Sequence, residues 1–531
     1  MDSNKKELLV KENLSDNLTK GKKGLLGVVF GRTGVVTLIV LIQIGILLIG
    51  FQILNQYIFA AYGATILLGF VLVLHIISSE GSPDFKLAWI VPILVLPVFG
   101  ALFYLFLSMQ WETRRLSRQV MNEDAASASA LEQDPEVLER LREASVQMDR
   151  LSSYVCQTSR SAVYQQTAST YYSSGEAVLD TMLGELKKAK RFIFLEYFIV
   201  SPGFMWDSVL NILKEKAKEG VEVRFLYDGM CDIFQFPKDY PKELEKYGIQ
   251  CKVFLPIVPA LSTVQNNRDH RKILVIDGEI AFTGGINLAD EYINRKERFG
   301  YWKDAAIMFR GDAARSFTLM FLRMWTVVSR VTFPEDYTRY LTTQVSVEGD
   351  GFVMPYSDNP LDNEQVGELV YMDILNTATK YVHIMTPYLV LDHEMIVALT
   401  YAAKRGVDVK IIMPHIPDKK YAFILARTYY NELLKAGVQI YEFLPGFVHS
   451  KLFVSDDEKA VVGSINLDYR SLYLSFECAA MLYRSRTVLD IEADFEETLK
   501  QCMQVTTDIC AKEAMHIRLA GKILRFLAPL M

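Results

Sequence analysis

Hydrophobic and polar positions divide the chain into an apolar first part and a longer second part in which they alternate. Three apolar runs contain no charged residue, at about 34–54, 58–78 and 87–108. Each has about the 20 residues that a helix needs to cross the hydrocarbon core of a bilayer. Beyond residue 165, short β-branched and aromatic runs alternate with helix-like segments, which is typical of α/β layers around a mixed sheet. The pattern therefore predicts transmembrane helices followed by a large α/β part.

The order of the apolar runs leaves the membrane topology open. Residues 1–33 form a polar, basic tail, which favours a cytoplasmic start. Three full crossings would put the rest of the chain outside, yet Arg114, Arg115 and Arg118 favour a cytoplasmic end. One run would then be re-entrant or interfacial, and 58–78 is the weakest candidate. The alternative to membrane spans is a set of buried core helices, and a cleaved signal peptide would have a shorter, single apolar run.

The polar pattern also predicts the domain boundaries. Residues 109–165 are charged and alanine-rich, and they predict a solvated helical linker with a helix start at Asp134-Pro135. We expect two α/β domains at 166–345 and 346–512, followed by an amphipathic segment at 513–531. That last segment suits either a bilayer interface or packing against the rest of the protein.

The second part of the chain repeats itself. GVEVRFLYD at 220 matches GVDVKIIMP at 406, and HRKILVIDGEIAFTGGIN at 270 matches HSKLFVSDDEKAVVGSIN at 449. The order of the matches is constant, which predicts two tandem copies of one domain. The first copy has ten more residues than the second before its motif histidine. This longer loop, with Ile257, Val258, Leu261 and Val264, could contact lipid chains or pack on its own protein.

Each copy carries the motif His-x-Lys-x4-Asp, as His270, Lys272 and Asp277 and as His449, Lys451 and Asp456. On a strand, residues two apart share a face, so an imidazole and an ammonium can converge on one phosphate. One histidine can attack phosphorus while the other protonates the leaving oxygen and later deprotonates an alcohol. The lysines can hold the non-bridging oxygens, and they disfavour a metal ion at the same place.

Further polar residues recur at matching places in both copies. Asn287 and Asn466 each follow the motif histidine by 17 residues and are candidates for binding the phosphate oxygens. Asp304 and Glu477 are candidates for the carboxylate that orients each histidine through its second ring nitrogen. Asp277 and Asp456 belong to the same motif, but on a regular strand they face away from the lysine. We therefore expect them to hold the following turn.

Composition excludes other classes of function. The formal net charge is −6, which disfavours a nucleic-acid-binding surface and hence a nuclease. The six cysteines contain no C-x-x-C pair, which predicts reduced thiols and neither a disulfide framework nor a zinc site. The remaining histidines, such as His383, are not duplicated and are expected to be structural or at the surface. A catalytically inactive lipid-binding scaffold would normally have lost a histidine or lysine in one copy, and both copies are intact.

These motifs resemble the phospholipase D superfamily and, within it, the bacterial cardiolipin synthases. HRKILVIDGEIAFTGGINLADEY and GFVHSKLFVSDDEKAVVGSINLDYRSLYLSFE are similar to the two signatures of that family. SPDFKLAWIVPILVLPVFGALFYL is similar to its N-terminal membrane segment, and KILRFLAPLM to its C-terminus. The resemblance covers the chain from about residue 34. The family usually has two membrane segments where this chain has three apolar runs.

The resemblance implies a fold and a reaction. Two phospholipase D-like α/β/α domains with mixed sheets would form one bilobal unit after the transmembrane helices. Phosphatidyl would pass from one phosphatidylglycerol to a hydroxyl of a second and release glycerol, through a phosphohistidine on His270, with His449 as acid and base. No cofactor is expected, and the partners would be anionic phospholipids in the plasma membrane. Hydrolysis and transfer to another alcohol are the alternatives.

Overall fold

The computed structural model describes residues 38, 40–46, 58–108, 111–231, 235–257, 263–330, 335–343, 345 and 347–530. The basic tail at 1–33 and most of the first apolar run at 34–54 lie outside the described residues. The chain forms two compact units. One comprises 1–111 with 258–263, and the other comprises 112–257 with 264–531.

The described residues of the first unit include the apolar helices α1 (Ile58–Ser78), α2 (Pro83–Val95) and α3 (Pro97–Ser108). In the described part of the chain, α1 is the one helix that is long and apolar enough to cross a membrane. Its 21 residues would measure about 31 Å, close to the thickness of a hydrocarbon core. Our ranking of the middle run as the weakest candidate was therefore wrong.

The third apolar run does not form the single span that we predicted at 87–108. It begins earlier, at the N-cap Ser82, and divides into helices of 13 and 12 residues at Leu96. Pro97 excludes a continuous helix because it restricts Leu96, whose φ and ψ are −128° and 70°. Gly100 permits the tight reversal, since a Cβ there would lie 2.4 Å from the carbonyl oxygen of Pro92. Neither half has the length of a span.

The segment expected to be a solvated linker consists of three helices that pack on the second unit: α4 (Trp111–Ala126), α5 (Pro135–Ala144) and α6 (Val146–Ser159). Helix α5 begins after Asp134, whose side chain accepts a hydrogen bond from the Glu136 amide. Leu116 and Val120 belong to the main hydrophobic core. The segment is thus part of a folded unit and not a solvated connector.

The second unit is built on two sheets whose strands follow the same order. The strands are β1 (Thr167–Tyr172), β2 (Phe192–Tyr197), β3 (Glu222–Asp228), β4 (Ile249–Phe254), β5 (Arg268–Asp269), β6 (Lys272–Ile276), β7 (Ile280–Gly284), β8 (Tyr301–Lys303), β9 (Ala306–Gly311), β10 (Phe352–Asp358), β11 (Tyr381–Met385), β12 (Asp408–Pro414), β13 (Gln439–Phe443), β14 (Gly446–Val448), β15 (Leu452–Ser455), β16 (Lys459–Gly463), β17 (Ser475–Tyr483) and β18 (Cys502–Gln504). The first sheet has the order β1-β9-β7-β6-β2-β3-β4, and the second has β10-β17-β16-β15-β11-β12-β13-β18. Parallel pairs β2-β3-β4 and β11-β12-β13 adjoin antiparallel strands, so the prediction of two mixed α/β sheets is confirmed.

Helices cover both sheets: α7 (Gly175–Lys188), α8 (Phe204–Lys218), α9 (Tyr240–Glu245), α10 (Ala314–Ser329), α11 (Val366–Thr377), α12 (His393–Lys404), α13 (Lys420–Ala436), α14 (Tyr469–Tyr473), α15 (Thr487–Leu499), α16 (Thr507–Ala511) and α17 (Met515–Leu527). Short 3-10 turns lie at Thr263–Asn266, Asp290–Ile293, Thr338–Tyr340 and Ala528–Leu530. Helix α10 is buried along nearly its whole length. One hydrophobic core contains side chains of α10 and of both sheets, so the two copies fold as one body.

Candidate active site

Each motif histidine lies where one copy forms a short parallel pairing with the other. Strand β5, directly before His270, pairs with the start of β17, and the His270 amide donates to the carbonyl of Phe476 at 2.9 Å. Strand β14, directly before His449, pairs with β8, and the His449 amide donates to the carbonyl of Lys303 at 2.7 Å. After each histidine the chain returns to its own sheet as β6 or β15. The backbone of each histidine is therefore fixed by the opposite copy.

The two candidate carboxylates contact the histidines crosswise. His270 Nδ1 lies 2.9 Å from Oε1 and 3.0 Å from Oε2 of Glu477, and His449 Nδ1 lies 2.7 Å from Oδ2 of Asp304. Both carboxylates are fully buried, whereas the histidine side chains remain 13% and 9% exposed. With Nδ1 engaged in this way, Nε2 is the ring nitrogen left for chemistry.

Both imidazoles are held in the neutral form. Burial lowers the pKa of His270 well below its usual value, and the charges of Lys272 and Lys451 add to this effect. Burial and Lys451 lower the pKa of His449 to about 4, although Asp304 opposes the shift. A neutral imidazole has a free lone pair on one ring nitrogen, so either histidine can act as nucleophile or base near pH 7.

The two motif lysines are buried beside the histidines. Each ammonium donates a hydrogen bond to the carbonyl oxygen of its own motif histidine, Lys272 to His270 and Lys451 to His449. Burial lowers the pKa of Lys272 to about 8 and that of Lys451 to about 7, although Asp304 and Glu477 favour the charged forms. A buried cation without a tight ion pair is well suited to bind an anion such as a phosphodiester.

The two carboxylates differ in their ease of ionisation. Burial raises the pKa of Glu477 to about 7, although Lys272 and the Ser464 hydroxyl, which donates to it, oppose that shift. Burial also opposes ionisation of Asp304, but its interactions with the His449 ring, Lys451 and the Ala305 amide bring its pKa below the usual value. The first copy has Gly285 in the place of Ser464, and a Cβ there would lie 2.1 Å from Oδ1 of Asp304. The repeat is therefore asymmetric at its carboxylates.

The two motif asparagines also have different surroundings. Asn287 is buried, accepts a hydrogen bond from the Ile199 amide at 3.0 Å and donates to the Tyr292 hydroxyl at 2.8 Å. Asn466 is buried too, but its Oδ1 has no hydrogen-bond partner. An unpaired buried amide oxygen is costly and is suited to accept a hydrogen bond from a substrate hydroxyl. Asn466 is thus better placed to bind a ligand than Asn287.

The motif aspartates bind backbone amides and do not contact the paired histidines. Asp277 accepts hydrogen bonds from the amides of Lys190, Arg191 and Phe192 at 2.7–2.9 Å. Asp456 does the same for Thr379, Lys380 and Tyr381 at 2.7–2.9 Å. Both aspartates have φ near +56°, in the left-handed region of a turn. Each therefore ties the turn after its motif strand to the start of the neighbouring strand, β2 or β11.

Replacement of either aspartate by alanine is expected to lower stability more than chemistry. Asp277→Ala and Asp456→Ala each leave three backbone amides without their acceptor, and hydrogen bonds to a charged group contribute about 1.5–3 kcal/mol. Melting temperature in detergent and kcat at a temperature well below melting check this prediction. A kcat that drops a thousandfold in a variant with wild-type melting would assign the aspartates to the reaction instead.

Three aromatic residues around the histidines were not identified from the sequence. The Phe198 ring lies 4.8 Å from that of His270, and the rings of Trp302 and Tyr292 lie 5.2 and 5.4 Å from that of His449. Tyr292 and Trp302 follow the first motif closely in the sequence, and this proximity was the one sign that they could belong to the site. The rings exclude water from the imidazoles and thereby contribute to the low pKa values.

The longer loop before His270 is described only in part. Residues 258–262, among them Val258 and Leu261, lie outside the described residues. Val264 is buried in the main core, so the expectation that it could contact lipid chains is wrong for this residue. Its apolar character reflects packing against the two sheets.

One group in the described part of the chain has side chains that could hold a metal ion: His383, Glu492 and Glu496. His383 is buried, and its Nδ1 lies 2.9 Å from Oε1 of Glu492. The ammonium of Lys410 lies 3.8 Å from Glu496 and supplies a cation there already. These contacts agree with a structural role for His383.

Comparison with known protein families gives two matches. The family described as "Cardiolipin synthase, PLD-like domain" matches residues 182–325 and 371–499, one segment in each copy of the repeat. The family described as "Phospholipase D-nuclease N-terminal" matches residues 67–108, which cover α2 and α3 and the second half of α1. The two segments of the first match include both histidines, both lysines and both carboxylates of the candidate site.

Three curated relatives match most of the chain. An uncharacterized protein of Streptococcus mutans is 50% identical over 86% of this chain and 99% of its own length. A cardiolipin synthase of a Geobacillus species is 35% identical over 87% of this chain and 92% of its own length. Cardiolipin synthase 2 of Bacillus cereus is 34% identical over 86% of this chain and 88% of its own length.

A solved structure shares the fold. The crystal structure of a phosphatidylserine synthase of Haemophilus influenzae matches with a TM-score of 0.55 at 13% identity. The match covers 72% of this chain and 97% of that one. At this identity the likeness shows the fold alone.

Proposed function

The chain belongs to the cardiolipin synthase family of phospholipase D-like proteins, and from this premise we propose how its paired histidines make cardiolipin. The substrate is phosphatidylglycerol in both steps. The phosphatidyl group of one molecule passes to a hydroxyl of a second, and glycerol is released. The observation that carries this proposal is the crosswise pairing of two neutral histidines with buried carboxylates around two buried lysines.

The first step transfers the phosphatidyl group to the protein. Nε2 of His270 attacks phosphorus and forms a P–N bond, while the P–O bond to the head-group glycerol breaks. His449, protonated when the anionic phosphodiester binds, gives its proton to the departing glycerol oxygen. Glycerol leaves as a neutral alcohol, and His449 returns to its neutral form.

In the second step the P–N bond breaks and a new P–O bond forms. His449 accepts the proton of a glycerol hydroxyl on a second phosphatidylglycerol, and that oxygen attacks phosphorus. The P–N bond breaks, His270 recovers its lone pair, and cardiolipin is released. Lys272 and Lys451 neutralise the charge that grows on the non-bridging oxygens in both steps. Asn466 accepts a hydrogen bond from a substrate hydroxyl through its unpaired Oδ1.

The unequal carboxylates support this assignment of roles. Asp304 has a low pKa and remains ionised, which suits the partner of a histidine that must carry a positive charge during each step. Glu477 has a pKa of about 7, so it favours a positive charge on His270 less strongly. A nucleophile must stay unprotonated before it attacks. His270 therefore acts as nucleophile, and His449 as acid and base.

The decisive assay uses purified protein and phosphatidylglycerol alone. In vesicles or detergent without added metal, cardiolipin and glycerol are expected in equal amounts, identified by mass. Water is present at about 55 M, so transfer requires a lipid acceptor that is concentrated and oriented at the site. If phosphatidic acid is the sole product, the protein is a hydrolytic phospholipase D. If labelled phosphatidyl goes to an added alcohol in preference to phosphatidylglycerol, the acceptor is a different one.

The two buried lysines predict an alkaline limit to activity. Their pKa values of about 7 and about 8 mean that both lose their charge as the pH rises through this range. We expect kcat/KM to fall there because the free site then attracts the phosphodiester less strongly. The alkaline decrease in kcat is expected at higher pH than that in kcat/KM, because the bound substrate is an anion and raises the pKa values of both lysines. Steady-state rates from about pH 6 to 10 check this, and coincident limbs would contradict it.

We place the protein in the plasma membrane as a multi-pass protein, with anionic phospholipids as its partners. Helix α1 supports one crossing, and the matched N-terminal family segment includes it. Further crossings would come from the first apolar run. Reporter fusions after residues 33, 82 and 120 test the number of crossings and the side that bears the catalytic part.

A further inference from the structure

The last helix of the chain, α17 (Met515–Leu527), exposes a line of large apolar side chains. Met515, Leu519 and Ile523 follow one another at intervals of four residues and are 84%, 60% and 56% exposed. Phe526, Leu527 and Leu530 continue the line and are also exposed. We call these six residues the C-terminal apolar face. Side chains of this size are normally removed from water, so a continuous line of them indicates a surface that is covered by something else.

The opposite side of the same helix is packed against α13 (Lys420–Ala436) and needs no further partner. Gly521 lies against this helix so closely that a Cβ would be 2.6 Å from Cγ2 of Thr428. The guanidinium of Arg525 lies 4.2 Å from the centre of the Tyr429 ring and 3.3 Å from the Glu432 carboxylate. The helix is therefore held by the catalytic unit, and the C-terminal apolar face is not required for that attachment.

The charged side chains of α17 itself have one sign, although Arg525 is paired with Glu432 of α13. Residues 514–531 contain Arg518, Lys522 and Arg525 and no aspartate or glutamate. An apolar line with basic side chains beside it is the pattern of a helix that lies in the interface of an anionic bilayer. A second copy of the chain would bring the same positive charges against these, so the charge favours a lipid surface over self-association.

The face ends beside a cleft whose lining includes Asp468, two residues beyond Asn466 in the chain. The cleft is also lined by Tyr388, Lys419, Tyr421 and Ala528. Ala528 directly follows α17, and Tyr421 is in the first turn of the helix that holds α17. The ammonium of Lys419 lies 5.1 Å from the centre of the Tyr388 ring, and its charge contributes to the low pKa of His270.

We propose that the C-terminal apolar face lies in the surface of the anionic bilayer and sets the mouth of this cleft at the level of the lipid head groups. Leu519 and Ile523 enter the acyl boundary, while Arg518 and Lys522 contact phosphates. The identity of the substrate delivered there rests on the proposed function, whereas the contact with lipid does not. Contact and catalysis can therefore be tested separately.

The contact is tested by photo-crosslinking in the full-length protein. A benzophenone amino acid replaces Leu519 or, as a matched control, Leu489, which is 50% exposed on α15. After reconstitution into vesicles of phosphatidylglycerol and phosphatidylcholine, irradiation at position 519 is expected to yield at least about tenfold more lipid adduct than at 489. Equal yields at the two positions, or adducts to a second copy of the chain in place of lipid, would overturn the proposal.

The charge dependence gives a second measurement. Arg518→Gln with Lys522→Gln is expected to lower the adduct yield at 519 by about fivefold or more in vesicles rich in phosphatidylglycerol, and not in vesicles of phosphatidylcholine. A yield that does not depend on lipid charge would contradict the basic contacts. Melting temperature in detergent identifies a variant that has lost its fold, and such a variant is replaced by Lys522→Gln alone.

The functional consequence is tested with charge in the apolar face. Leu519→Glu with Ile523→Glu is expected to lower cardiolipin synthesis in vesicles by about tenfold or more, while a short-chain, water-soluble phosphatidylglycerol is still consumed at the wild-type rate. The control Leu489→Glu should leave both rates unchanged. Equal rates of variant and wild type in vesicles would reject delivery through this face. A wild-type protein that makes no cardiolipin would instead reject the proposed function and leave the crosslinking result standing.

Discussion

His449→Ala is expected to stop cardiolipin synthesis and to trap the phosphatidyl group on His270 when the leaving group of the substrate needs no proton. Without an acid, glycerol cannot leave, but a substrate that carries p-nitrophenol in place of glycerol needs no proton for departure. This substrate should release one nitrophenolate for each active site in a single burst and then stop, because no base remains to activate an acceptor. We expect steady-state synthesis from phosphatidylglycerol to fall by about a thousandfold or more. Peptide mass analysis should find the adduct on His270.

His270→Ala is the matched control, since it removes the nucleophile and leaves the acid. It should show neither burst nor adduct with the same substrate. A burst in His270→Ala together with an adduct on His449 would exchange the two roles. The melting temperature of both variants in detergent should be measured as well, because each substitution leaves a buried carboxylate without its histidine partner.

Asp304→Asn is expected to reduce kcat far more than Glu477→Gln. The ionised Asp304 fixes the tautomer of His449 and stabilises its positive charge, and loss of such a carboxylate costs about 10⁴ in the well-studied serine protease triad. Glu477 has a pKa of about 7 and is already neutral in part of the molecules at neutral pH. A neutral amide in its place should cost about 10- to 100-fold.

The comparison of Asp304→Asn with Glu477→Gln requires that both variants are folded and that kcat is measured in the same vesicles. Ser464→Ala serves as a third variant, because it removes the hydroxyl that bonds to Glu477 and should raise the pKa of that carboxyl further. Protonation of Glu477 should then lower kcat at a higher pH in this variant than in the wild type. If Glu477→Gln lowered kcat as much as Asp304→Asn, the unequal ionisation of the two carboxylates would not explain different roles for the two histidines.

The sequence predicted the chemistry better than the geometry. Two copies of His, Lys and Asn at fixed spacing predicted two repeated α/β sheets and named the residues now found around the histidines. The crosswise contacts could not be predicted, because they depend on how two folded copies meet. They are created by pairings of only two or three residues, at β5 and β14, which have no periodicity to detect. The unequal pKa values follow from burial, which the sequence does not specify.

The membrane region shows a different limit. Hydropathy alone predicted one span at 87–108, but Pro97 interrupts the helix and Gly100 allows its two halves to approach. Both residues were visible in the sequence, and the rule that the residue before proline avoids helical backbone applies to Leu96. The error came from giving the absence of charge more weight than the positions of proline and glycine.

The crosswise pairing also bears on the symmetry of the site. A single copy could have reached the same arrangement only as a pair of identical subunits, in which every substitution would appear twice. Because both copies are part of one chain, they can differ at matching places: the first copy has Gly285 where the second has Ser464, and Asp304 where the second has Glu477. A site built from two copies in one chain need not be symmetric, so under the proposed mechanism His270 and His449 can carry different roles.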